Sequence, residues 1–159
     1  MAVTTAFVTD TDLALFQPDI LTFGPATFSA QLIMASDDVF QRLVDEWWPQ
    51  AIGAFYGLTR SAIDVQYPVL PTLKEASLDK AALRNLVCYR AISHYIMPLL
   101  ASDADANGDL FTRRAARYQR FYQEEWDKII DLPIYDFNQD TLFTNIERPL
   151  QIARRLRRA

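Results

Sequence analysis

DLFTRRAARYQRFYQEEWDKIID, residues 109–131, sets Phe111, Ala115, Tyr118, Tyr122, Trp126 and Ile129 at steps of three and four. Side chains at that spacing share one face of an α-helix, so the stretch predicts an amphipathic helix with a single apolar stripe. Arg113, Arg117, Arg120 and Glu124 fall on the other face. An Arg–Glu pair four residues apart adds a few tenths of a kcal/mol, so Arg120 and Glu124 support the helix and say little about function. Arg113, Arg117 and Arg120 are candidate interface residues. The stretch just before, DADANGD (103–109), is a loop by composition.

Working outward, the same period recurs in PATFSAQLIMASDDVFQRLVDEWWPQ (25–50), where Phe28, Leu32, Ala35, Val39, Leu43 and Trp47 form one stripe. Asp37, Asp38, Arg42, Asp45 and Glu46 lie off it, and Pro49 is expected to mark the helix end. TDTDLALFQP (9–18) predicts a short helix with Asp10 or Thr11 as N-cap, stopped by Pro18. Residues 50–76, with Gly53, Gly57, Pro68 and Pro71, read as a short helical turn and a long connection. A third helix begins near Ser77 or Asp79 and carries Leu83, Val87, Ala91 and Tyr95. Pro98 is expected to kink or end it, because proline lacks a backbone donor and clashes one turn back. After Pro133, IYDFNQDTLFT reads as a β-hairpin. The expected fold is mainly α: a small helical bundle over residues 1–147, with a hairpin at about 133–147 and a basic arm, 148–159.

Charge divides the chain in the same place. Residues 1–147 hold 11 of the 16 basic side chains and all 20 acids, a formal charge of −9, whereas the last twelve residues carry +5. The arm ERPLQIARRLRRA combines Arg148, Arg154, Arg155, Arg157 and Arg158 with the apolar Leu150, Ile152 and Leu156. A purely solvated tail has no use for those apolar residues, so the arm reads as a docking segment. The composition, 50 % hydrophobic and 13 % aromatic, is far from that of a disordered chain. One cysteine excludes an intrachain disulfide framework, and neither a signal peptide nor a span-length apolar run is read, so the expectation is a soluble intracellular protein.

Catalytic apparatus is scarce. His94, the single histidine, is placed by α-helical counting on or beside the buried face, as a core or interface residue. Cys88, six residues earlier, points well away from it and reads as a small buried side chain. No glycine spacing suits a phosphate cradle. Two stretches resemble calcium loops, and each fails at one indispensable position. Asp103-Ala-Asp105-Ala-Asn107-Gly108 has Arg114 at its twelfth position, and Asp136-Phe-Asn138-Gln-Asp140 has Thr141 at its sixth. No cofactor or metal is therefore expected, and the chain reads as non-enzymatic. Trp48, turned about 100° from Trp47, is expected at the edge of the core or outside it, as an interface anchor.

The order DLALFQPDILTFG, SDDVFQRLVDEWWP, LVCYRAISHYIMPLLAS, RRAARYQRFYQEEWDKII and an acidic YDFNQD turn resembles the head–tail connector (adaptor) proteins of tailed bacteriophages over about residues 10–147. The DL…PDI opening and the WWP helix end carry most of the likeness. The resemblance implies a virion protein that assembles in the host cytoplasm as a homo-oligomeric ring, typically twelvefold, under the portal protein. Such a ring links the capsid to a further neck or tail-completion protein and surrounds the DNA exit channel without sequence-specific binding. It also implies that the C-terminal arm reaches the portal. The alternative reading is a small helical DNA-binding or regulatory protein with the arginine arm on phosphates, which the net charge of −4 disfavours.

Overall fold

The computed structural model describes residues 3–22, 25–56, 70–103 and 108–137. The protein is mainly helical, 74 % by residue, and no β-strand occurs among the described residues. Helix α1 spans Asp10–Phe16, α2 Ser29–Arg42, α3 Trp48–Tyr56, α4 Lys80–Arg90, α5 Met97–Asp103 and α6 Gly108–Ile129. Two π-helical stretches, Leu43–Trp47 and Ala91–Ile96, join α2 to α3 and α4 to α5 without a break.

The chain divides into two compact units, Met1–Phe40 with Lys80–Trp126 and Gln41–Asp79 with Asp127–Ala159. It passes from one unit to the other inside α2, again between Asp79 and Lys80, and a third time inside α6. The first unit is built on α1, most of α2, α4, α5 and most of α6. Thr9 is the N-cap of α1, one residue before the expected Asp10 or Thr11, and the Asp12 carboxylate accepts from its backbone N–H at 2.8 Å and its hydroxyl at 2.9 Å. Asp10 serves the next helix instead: it accepts from the Phe28 N–H at 3.0 Å and the Thr27 hydroxyl at 2.5 Å, just ahead of α2. The residues before α1 lie along α2. The Val3 N–H donates to Asp37 Oδ1 at 2.8 Å and the Phe7 N–H to Ser36 Oγ at 2.9 Å. Ser36 is fully buried, and its hydroxyl also donates to the Leu32 carbonyl at 2.7 Å.

The predicted stripes are buried except at Ala115 and Tyr95, which are half-buried. Phe28, Leu32, Ala35, Val39, Leu43 and Trp47 line one side of α2 and its π continuation; Phe111, Tyr118, Tyr122, Trp126 and Ile129 do so on α6. The expected helix ends at Pro49 and Pro98, however, are overturned. The helix runs through Pro49 to Tyr56, and its fellow runs through Pro98 to Asp103. Each proline is the second residue after a π stretch. In an α-turn the pyrrolidine ring would strike the carbonyl four residues back and leave it without a donor. The π turn bonds five residues back instead: the Trp48 N–H donates to the Leu43 carbonyl, and the Met97 N–H to the Ile92 carbonyl. Side chains add donors inside the widened turns, Gln50 Nε2 to the Glu46 carbonyl at 2.6 Å and the Ser93 hydroxyl to the Arg90 carbonyl at 3.3 Å.

In the second unit Tyr135 forms an isolated antiparallel bridge with Leu78, flanked by Asp79 N–H to the Ile134 carbonyl at 2.9 Å and Asp136 N–H to the Ser77 carbonyl at 3.0 Å. A hairpin at 133–147 is not shown. Its first residues pair with the 77–79 segment, and 138–147 lie outside the described residues, as does the arm 148–159.

Because the π turn already relieves the clash, Pro49→Ala is expected to gain clearly less than the roughly 3 kcal/mol that separates proline from alanine in a regular helix interior. Urea unfolding of the two proteins measures this, and a gain of the full amount would mean that the turn does not accommodate the ring.

Candidate interaction surface

Arg113, Arg117 and Arg120 project from α6 within the first unit, and all three are exposed. At about 100° per residue they share a strip roughly 60° wide with Glu124. Arg120 Nε lies 3.7 Å from Glu124 Oε1, with side-chain exposures of 72 % and 58 %; a pair so open to water holds neither partner firmly. Arg117 lies over the Phe121 ring at 5.2 Å, a cation–π contact. Phe121 in turn belongs to an aromatic cluster. Phe121 meets Tyr118 at 5.9 Å and Tyr89 at 5.7 Å, Tyr89 meets Phe16 at 5.1 Å, and the Tyr118 hydroxyl donates to the Phe16 carbonyl at 2.9 Å. Leu110, on the same side of the helix one turn earlier, is 46 % exposed.

The polar centre of this unit is Asp38. Its Oδ2 accepts from Arg90 Nε at 2.8 Å, Arg90 Nη2 at 2.7 Å and the Tyr95 hydroxyl at 2.6 Å, and Arg90 also lies 5.6 Å from the Tyr122 ring. Charge-assisted bonds of this length tie α2 to α4 and to the π stretch after it. Burial first, and then the hydrogen bond and charge of Asp38, push the Tyr95 phenol from 10.0 up to about 12. Cys88, fully buried, is pushed from 9.0 up to about 12, chiefly by burial and secondly by Asp12. It is an inert thiol at neutral pH.

Two expectations are corrected. Trp48 is not an exposed anchor: it is 4 % exposed, and its indole Nε1 donates to the Pro71 carbonyl at 2.6 Å. Tyr135 meets it edge-on at 4.8 Å, and Phe137 stacks on it at 5.6 Å and on Phe55 at 4.2 Å. The five-residue step from Leu43 to Trp48 is one π-turn bond, so the residue that α-helical counting turns away is brought back onto the stripe. His94 is exposed rather than on the buried face. The second π stretch turns Ser93, Ile96 and Met97 inward in its place, and the His94 ring meets Tyr95 edge-on at 5.2 Å.

Neither calcium-like loop is described in full, since 104–107 and 138–147 lie outside the described residues. Asp136 is described and is 6 % exposed. Among the described residues no group of three or more His, Cys, Asp or Glu side chains is placed to hold a metal ion, and no helix is long and apolar enough to cross a membrane. The candidate arm residues Arg148, Leu150, Ile152, Arg154, Arg155, Leu156, Arg157 and Arg158 all fall outside the described residues. Comparison with protein families, with curated proteins and with solved structures finds no match.

Two outcomes are expected. Trp48→Ala lowers stability by about 3–5 kcal/mol in urea unfolding, the range for removing a buried tryptophan, and Trp48→Phe lowers it less. For pH, the folded Tyr95 value lies above its unfolded value, so the neutral phenol's contribution is complete below about pH 10. It is lost as pH rises from 10.0 towards 12. Unfolding free energies of Tyr95→Phe should therefore decline less steeply across that alkaline window than those of the parent, the Cys88 part remaining in both.

Proposed function

We propose that the chain is a structural virion protein, a head–tail connector that forms a ring beneath the portal and links the capsid to the neck or tail around the DNA channel. The observation that carries this reading is the order of segments, from the DL…PDI opening through the WWP helix to the acidic YDFNQD turn, which resembles that family across about residues 10–147. Two physical features support it. An acidic body ending in a +5 arm suits a component that docks on something else. An exposed arginine row, with Arg117 over the Phe121 ring, offers one face of the unequal contacts by which rings close. In this reading 133–147 turns back as a hairpin, and an acidic surface facing the channel would repel phosphates and let DNA pass.

The arm from Arg148 to Ala159 is then the portal-docking element. Its arginines keep their charge at any working pH and grip carboxylates with two prongs, while Leu150, Ile152 and Leu156 supply apolar anchors that salt does not screen. Mixed with portal-bearing capsids of the cognate phage, the full-length protein is expected to appear as a ring at the portal vertex in negative-stain images. Deleting residues 148–159 is expected to leave the helical circular dichroism and the urea midpoint unchanged and to abolish attachment. Unchanged attachment of the truncated protein would assign the arm elsewhere, and no attachment of the full-length protein would sink the connector reading itself.

A further inference from the structure

Residues 70–73 of the second unit take neither helix nor strand. Among the described residues their one hydrogen bond is the Trp48 indole N–H donating to the Pro71 carbonyl at 2.6 Å. Leu73 is buried and Leu70 half-buried, whereas Pro71 and Thr72 are exposed. A segment held by one buried side chain and one bond belongs to the least stable part of its unit. Trp48, its anchor, is one end of an aromatic cluster. Phe137 stacks on Trp48 at 9° from parallel and on Phe55 at 7°, and Tyr135 meets Trp48 edge-on. The margin of the cluster is open: Phe55 and Phe137 are half-buried, and Tyr56, edge-on to Phe55 at 5.1 Å, is 52 % exposed.

We propose that Trp48, Tyr135 and Phe137, with Phe55 and Tyr56 at the margin, form a recognition site for an extended, proline-containing peptide of a partner protein, a site that residues 70–73 fill from within the chain. The hydrogen bond selects that ligand. An indole N–H is a donor only, so once buried it requires an acceptor, and here the acceptor is a prolyl carbonyl. The extended form that proline favours makes no internal hydrogen bonds, so its carbonyls stand ready for an outside donor. A helical peptide has already spent its interior carbonyls on its own backbone. Aromatic-lined surfaces suit proline segments for a second reason: a segment ordered before it binds loses little entropy on docking. The sequence carries the matching spacing in Pro68-Val-Leu-Pro71, of which Leu70 and Pro71 are described. A partner peptide would compete with the chain's own segment for one donor. The inference goes beyond the connector reading and does not rest on it.

NMR of the isotopically labelled full-length protein tests it, with the Trp48 indole resonance assigned by its loss in Trp48→Phe. The probe is a synthetic peptide of residues 67–74, YPVLPTLK. A tethered segment competes at an effective concentration of roughly millimolar, so the free peptide is expected to shift the Trp48 resonance with a midpoint of about 1 mM. Leu73→Ala weakens the hold of the chain's own segment while the peptide keeps its leucine, and should lower that midpoint about tenfold or more. The same peptide with both prolines replaced by alanine should leave the resonance in place. An unmoved Trp48 resonance in the wild type at about 10 mM peptide, well above the tethered segment's effective concentration, overturns the proposal whether or not Leu73→Ala folds. An alanine peptide that shifts it equally does the same. A shift that grows with protein concentration in the absence of peptide would assign the site to a second copy and overturn it as well. Portal attachment is read in a different experiment, so this site and the connector reading fail separately.

Discussion

A proline cannot donate the bond that a helix interior asks of it, and its ring occupies the space of a carbonyl one turn back. This chain places such a residue twice inside a helix, at Pro49 and Pro98, and each time the preceding turn opens to a five-residue bond. The opening does more than make room. It shifts every later side chain by about one position around the helix axis. In the second unit Trp48 becomes the centre of an aromatic cluster with Tyr135 and Phe137. In the first, Ser93, Ile96, Met97 and Leu100 turn inward and His94 turns out. What lies buried beyond residues 43 and 91 depends on how those two rings are accommodated.

The same constraint explains what could be read from the sequence. Upstream of each widened turn, steps of three and four locate the core from Phe28 to Leu43 and from Leu83 to Ala91. Throughout α6, which has no proline, the apolar stripe and the opposing arginines were both legible. Counting failed at Trp48 and His94 because a single period was carried across a place where the period changes. Two prolines at the ends of apolar stripes were signals for that change, but Pro49 read as a stop and Pro98 as a kink or a stop. The Asp38 centre left no local trace: its partners Arg90 and Tyr95 stand 52 and 57 residues away, a distance that no periodicity spans.

Beside the arginine row of α6 lies a packed aromatic cluster. Phe121, Tyr118, Tyr89 and Phe16 pack in succession, and the Tyr118 hydroxyl is held by a backbone carbonyl of α1. A side chain in contact with such a cluster, as Arg117 is, loses less freedom when it meets a partner, so less of its interaction energy is consumed by ordering. Chain length therefore matters less for this surface than shape.

The segment before α1 has a temporal meaning as well as a spatial one. Val3 and Phe7 donate their backbone N–H groups to the side chains of Asp37 and Ser36, neighbours on α2, at sequence separations of 34 and 29. Neither acceptor is in position until α2 has wound, because Ser36 is itself oriented by the Leu32 carbonyl one turn earlier. Residues that precede α2 in the chain are thus among the last to find their place, closing a long loop only after a local helix has formed.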